Sequence, residues 1–78
     1  MELDRLDSAD LGDLARSAMT VLADRGDQAA FRELLTMSGH AGACLGEAAR
    51  RMASSGSWSA VADVSGTSKQ AAWERWHA

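Results

Sequence analysis

Trp58-Ser59-Ala60-Val61-Ala62-Asp63-Val64-Ser65-Gly66-Thr67-Ser68-Lys69-Gln70-Ala71-Ala72-Trp73-Glu74-Arg75-Trp76-His77 reads as two short helices meeting at a sharp angle. Ser57 is a good N-cap for the first, since its hydroxyl can accept an orphan N–H of the opening turn. Ser65-Gly66-Thr67 supplies the turn, with Gly66 free to take a left-handed conformation. Thr67 followed by Gln70 has the spacing of a capping box for the second helix. Ala62 is small where the following helix must come close, and Val61, Val64, Ala72 and Trp76 fall on the shared interior. That leaves Ser68, Lys69, Gln70 and Trp73 on the outer face of the second helix.

Upstream, the same punctuation marks off two more helices. A first runs from Ser8 to Arg25, capped by Asp7 or Ser8 and closed by Arg25-Gly26. Leu11, Leu14, Ala15, Ala18, Met19 and Leu22 give it one apolar face. A second starts at the N-cap Asp27. Its apolar positions keep phase across Ser38-Gly39: 31, 38, 45 and 52 are seven apart, as are 35, 42 and 49. The retained phase favours one long helix from Asp27 to about Ser54, able to bend at Gly39. The alternative is a break there, with Ser38 capping a new helix. Gly39, Gly42 and Gly46 lie near one face, where the first helix or a second protomer can approach, or they are simply tolerated on a surface helix. Ser54-Ser55-Gly56 stops the helix, with Gly56 as the expected left-handed residue.

The expected fold is therefore all-α: a single helical domain over 1–78, with an N-terminal helical hairpin at 8–54 containing the long second helix, followed by a C-terminal helix-turn-helix at 57–77. With 78 residues and no proline, the chain holds one small core, and a second copy would add buried surface.

Charge is unevenly spread. Residues 1–49 carry nine acids and four bases, a net of −5, whereas residues 50–78 carry two acids and four bases, a net of +2. Such an asymmetry describes an acidic support with a mildly basic working end, or a chance fluctuation in a short chain. The single cysteine, Cys44, excludes an intrachain disulfide and is compatible with a reducing compartment. Met1-Glu2-Leu3-Asp4 lacks the layout of a signal peptide, and no apolar run approaches the roughly 20 residues of a membrane helix. The expected location is cytoplasmic, with no membrane partner. Neither His40 nor His77 shows a zinc-ligand pattern, and Cys44 reads as a helix-packing residue. No phosphate loop or catalytic triad appears. An enzyme, a metal and a cofactor are all unexpected.

Trp58 to Trp76 resembles the helix-turn-helix of small actinobacterial DNA-binding proteins, whose pattern reads Ser-Trp-(Ala/Ser)-x-Ile-(Ala/Gly)-x-x-Leu-Gly-Val-(Ser/Thr)-(Arg/Lys)-Gln-Ala-Ala-x-x-Arg-(Trp/Phe). The match covers about a quarter of the chain, and Ser68-Lys69-Gln70-Ala71-Ala72 with Arg75-Trp76 is its most specific part. The resemblance implies Lys69 and Gln70 as contacts to DNA, and Trp58 and Trp76 as packing residues. The chain departs from the pattern at the turn, Val64-Ser65-Gly66-Thr67, and at Trp73-Glu74, where Glu74 would repel phosphate.

Chemistry assigns the roles. Lys69 can reach phosphate or guanine, and Gln70 can read adenine, though not while completing a capping box. Thr67 or Ser68 can donate to phosphate beside the helix N-terminus. Arg75, with Arg50 and Arg51, can hold the DNA backbone, and Trp73 can pack on sugar, on a thymine methyl or on another protein. About four phosphate contacts per protomer give a log–log salt slope of about −3.6, or about −7 for a dimer. The expectation is a bacterial or phage transcriptional regulator that binds double-stranded DNA as a homodimer formed through residues 8–54. Net acidity, Glu74 and Trp73 favour the alternative: a protein-interaction adaptor, such as an antirepressor, that does not bind DNA.

Overall fold

The computed structural model describes residues 2–78, which are all-helical, with no strand among them. A short 3-10 turn at Leu3–Arg5 precedes α1 (Ser8–Arg25), α2 (Gln28–Ser55), α3 (Trp58–Ser65) and α4 (Lys69–Trp76). Each helix begins where a short polar side chain can satisfy an orphan N–H. Asp7 accepts from the backbone N–H of Asp10 at 2.8 Å, Asp27 from that of Ala30 at 2.7 Å and Ser57 from that of Ala60 at 3.2 Å. α1 ends on Gly26 in the left-handed conformation, φ 60°, whose N–H donates to the Leu22 carbonyl.

α2 is one uninterrupted helix of 28 residues that passes through Gly39, as the retained apolar phase requires. Its end differs from expectation. Gly56 donates to the Met52 carbonyl at 2.9 Å, but among the described residues only Gly26 and Gly66 have positive φ. The stop at Gly56 is thus made without a left-handed residue, and Ser57, in extended conformation, starts the next helix at once.

The chain forms two compact units, one ending at Ser38 and one running Gly39–Ala78. In the first, α1 buries no residue and Ala30 is the buried position of the α2 segment. Leu22, Ala23, Gly26, Phe31 and Leu34 line an apolar groove at the elbow between the two helices. In the second, Ala49 of α2, Val61 and Ala62 of α3, and Ala72 and Trp76 of α4 make a cluster, with Ala53 and Trp58 packed half-buried against it. Alanines at the contacts let the helices approach closely, and the one large buried side chain, Trp76, fills the space among them.

Three packing expectations change. Val64 is 79% exposed and stands at the rim, because Val61 and Ala62 already occupy the inner face of a helix only eight residues long. Gly46 is buried within the chain: a Cβ there would crowd Arg50 Nη1 at 3.2 Å and meet Trp76 Cδ1 at an ordinary 3.8 Å. Gly39 and Gly42 face open space. Cys44 is exposed rather than packed, its Sγ 3.4 Å from His40 Nε2 one helical turn away.

Candidate nucleic-acid interface

The turn between α3 and α4 determines what α4 presents. Gly66, at φ 72°, and Thr67 both donate their N–H to the Ala62 carbonyl, at 2.9 and 3.1 Å. Ser65 adds a hydroxyl bond to the Val61 carbonyl at 2.8 Å and lies 3.2 Å from the Thr67 hydroxyl. With Thr67 committed to closing α3, the cap of α4 falls one residue later. Ser68 Oγ accepts from Ala71 N at 3.1 Å, so Ser68 is the N-cap and the Thr67–Gln70 capping box does not form. Accepting that bond leaves the Ser68 hydroxyl proton free to donate.

α4 then divides cleanly. Ala72 and Trp76 are buried, while Lys69, Gln70 and Trp73 are exposed and together line one open depression. Among the described residues Lys69 forms no ion pair. Gln70 Nε2 donates to Glu74 Oε1 at 2.9 Å, which frees Gln70 from any capping duty but ties its amide to a carboxylate. Trp73 is 44% exposed, with one face covered by the His77 imidazole, stacked at 4.0 Å and 9°. His77 Nδ1 also lies 2.6 Å from the Trp73 carbonyl, so His77 both continues and caps the helix end.

The arginines are engaged within the chain. Arg75 sits over the Trp76 ring, 4.9 Å from its centroid. Arg50 Nη1 donates to the backbone oxygens of Trp76 and Ala78, each at 3.1 Å, and so satisfies carbonyls at the C-terminal end of α4. Arg51 pairs with Glu47 at 2.9 Å. Lys69, Gln70 and Trp73 are therefore brought together, Thr67 and Ser68 stand at the α4 N-terminus beside them, and Arg50 and Arg51 are turned to partners on α2 and α4. The Arg50 role and the Gln70–Glu74 link escaped sequence reasoning. The second was visible as an i,i+4 pair, as was His40–Cys44; the first joins residues 26 and 28 apart and had no local signal.

The Arg51 hydrogen bond and charge hold the Glu47 carboxyl below its ordinary value, with a weaker pull from Arg50. Because the folded-state value is lowered, the pair's contribution is present above the ordinary carboxylate range and is lost as pH falls from that range through the lowered folded value. An NMR titration is expected to show Glu47 titrating low, and its midpoint rising toward the ordinary value in Arg51→Ala. Identical midpoints would remove the pair.

Among the described residues no group of three or more His, Cys, Asp or Glu is placed to hold a metal, and no helix is long and apolar enough to cross a membrane. No family model, curated protein or solved structure matches the chain.

Proposed function

We propose that the chain is a small duplex-DNA-binding protein, a bacterial or phage transcriptional regulator, in which α3 and α4 act as a helix-turn-helix and α4 enters the major groove. The observation that carries this reading is the division of α4: Ala72 and Trp76 are buried, and Lys69, Gln70 and Trp73 are exposed side by side. That face offers one cation, one base-reading amide and one apolar surface. The N-terminal amides of α4 and the free proton of Ser68 add phosphate donors. One eight-residue helix offers too few contacts for tight binding, so the reading includes a homodimer through residues 8–54, formed from the helical hairpin of α1 and α2. A two-fold pair would set two α4 helices about 34 Å apart along DNA.

Fluorescence anisotropy with non-specific duplex tests it. Lys69 and Arg75 are the cations of residues 39–78 without a hydrogen-bonded partner among the described residues, so a dimer is expected to bind at low salt with a log–log slope of about −3.6. The slope rises toward about −7 where Arg50 and Arg51 exchange their partners for phosphate. Absence of binding at low salt would sink the reading.

The Gln70–Glu74 hydrogen bond favours a second reading. It occupies the amide that would read a base and adds negative charge beside Trp73. A protein-interaction adaptor would use the same face through Trp73, and a pull-down that depends on Trp73 while DNA binding is absent would establish it.

A further inference from the structure

His40 and Cys44 stand one helical turn apart on α2, with Cys44 Sγ 3.4 Å from His40 Nε2. The spacing brings the two side chains together only where the helix is unbroken, and α2 is unbroken through both. Both residues are exposed. With 3.6 residues per turn they fall on the side of α2 away from Ala49, the residue through which this helix joins the buried cluster of the unit Gly39–Ala78. Neither belongs to that cluster, and the DNA reading uses neither.

Imidazole and thiolate are donors that suit borderline and soft cations, whereas magnesium and calcium take oxygen. The separation of the two donor atoms fits such a cation. Zinc holds a thiolate sulfur at about 2.3 Å and an imidazole nitrogen at about 2.0–2.1 Å, so two such ligands at the tetrahedral angle lie about 3.5–3.6 Å apart. The pair is already close to that edge length. The geometry points to a zinc-class divalent cation held between His40 Nε2 and Cys44 Sγ, with water in its remaining positions. The neutral imidazole gives the lone pair of Nε2 and keeps its proton on Nδ1. The Cys44 thiol gives its proton to solvent, and the hydrated cation exchanges two waters for the two side chains. Among the described residues no third His, Cys, Asp or Glu joins the pair, so the site is an open clip and not the closed four-ligand set of a structural zinc. The turn it clips is a weak one. Gly42 lies between the two ligands and Gly39 just before them, and glycine is the poorest helix former after proline. A side chain at either glycine would meet nothing within 4 Å, so close packing does not account for them. A cation joining residues 40 and 44 holds the ends of that turn at helical spacing, which links binding to local helix stability. The inference depends on neither the DNA reading nor the dimer.

Cobalt(II) is the probe, because it takes the same ligands and reports thiolate ligation by a near-ultraviolet charge-transfer band. Titrated into the full chain under a phosphine reductant, it is expected to raise that band to saturation at one equivalent per chain, and zinc to abolish it by displacement. Cys44→Ser should lose the band. His40→Ala should weaken cobalt binding by more than about tenfold, since loss of even the outer hydrogen-bond partner of a ligand costs about 10–100-fold. Both side chains are exposed, so far-ultraviolet circular dichroism of each variant should match the wild type. With zinc at about ten times its dissociation constant, hydrogen exchange of the Cys44 amide, whose helical acceptor is residue 40, should slow about tenfold in the wild type and stay unchanged in His40→Ala. Absence of the band in the wild type would overturn the site, and an equal cobalt affinity in His40→Ala would reduce it to a bare thiol. Saturation at one cobalt per two chains would replace the open clip by a bridge between copies. Exchange of the Cys44 amide unaffected by bound zinc would overturn the link to the helix.

Discussion

Trp76→Ala is expected to unfold the unit Gly39–Ala78, with loss of most α3 and α4 helicity and of the cooperative urea transition. Trp76 is the only large side chain among the buried residues, and the others are alanines and one valine. Its indole touches the space left by Gly46, anchors α4 under α3, and carries the guanidinium of Arg75 on its face. Truncating a buried tryptophan costs about 3–5 kcal/mol, from lost transfer energy and from a cavity that short helices cannot close. A core this small supplies about that much in total. Trp73→Ala is the matched control, because Trp73 is half exposed and stacks only on His77. It should keep the cooperative urea transition and most of the α3 and α4 helicity. Equal effects from the two substitutions would show that the cluster around Trp76 is not what holds α3 and α4.

The contrast between these two tryptophans was legible in the sequence, since a period of 3.6 puts residues 72 and 76 on one face and 69, 70 and 73 on another. So were the caps at Asp27 and Ser57, and Asp7 as one of two candidates with Ser8, because N-capping is decided within four residues. Thr67 and Ser68 show where local reading fails. Both are good caps, and the choice between them follows from the N–H of Thr67 reaching back to Ala62, which is a property of the turn rather than of either residue. Gly56 failed for a related reason: a glycine permits a left-handed stop but does not require one, and Ser57 begins α3 before the chain needs to reverse. Val64 and Cys44 were read as packed because apolar period and small size suggest burial, yet neither says whether this chain supplies the cover. The same limit applies to Phe31, Leu35 and Leu45. Their spacing marks them as apolar face positions, and only the structure shows that each is half or more exposed.

Replacing Lys69 and Arg75 together by alanine is expected to remove nearly all duplex binding and, with it, the salt dependence. The cations available to DNA determine both quantities, because each phosphate neutralised releases about 0.9 counterion. Arg50 and Arg51 are held by carbonyls at the end of α4 and by Glu47, so Lys69 and Arg75 are the pair open to phosphate. A dimer that loses both from each protomer goes from a slope of about −3.6 to nearly zero. Its affinity at about 50 mM salt should fall a hundredfold or more, if each charged hydrogen bond is worth at least about 1 kcal/mol. Stability must be followed alongside, because Arg75 lies over the Trp76 ring and its removal forfeits a cation–π contact of about 0.5–1 kcal/mol. Lys69→Ala alone is free of that complication. It is expected to halve the slope without moving the urea midpoint, which separates a lost DNA contact from a loosened fold. Gln70→Ala supplies the opposite signature, an unchanged slope with altered preference among duplex sequences, since the amide carries no charge and is released by Glu74 only where a base replaces that carboxylate. If the double variant and the wild type share one slope, the outer face of α4 is not the DNA-contacting surface, and Trp73 with Glu74 becomes the better description of what it offers a partner.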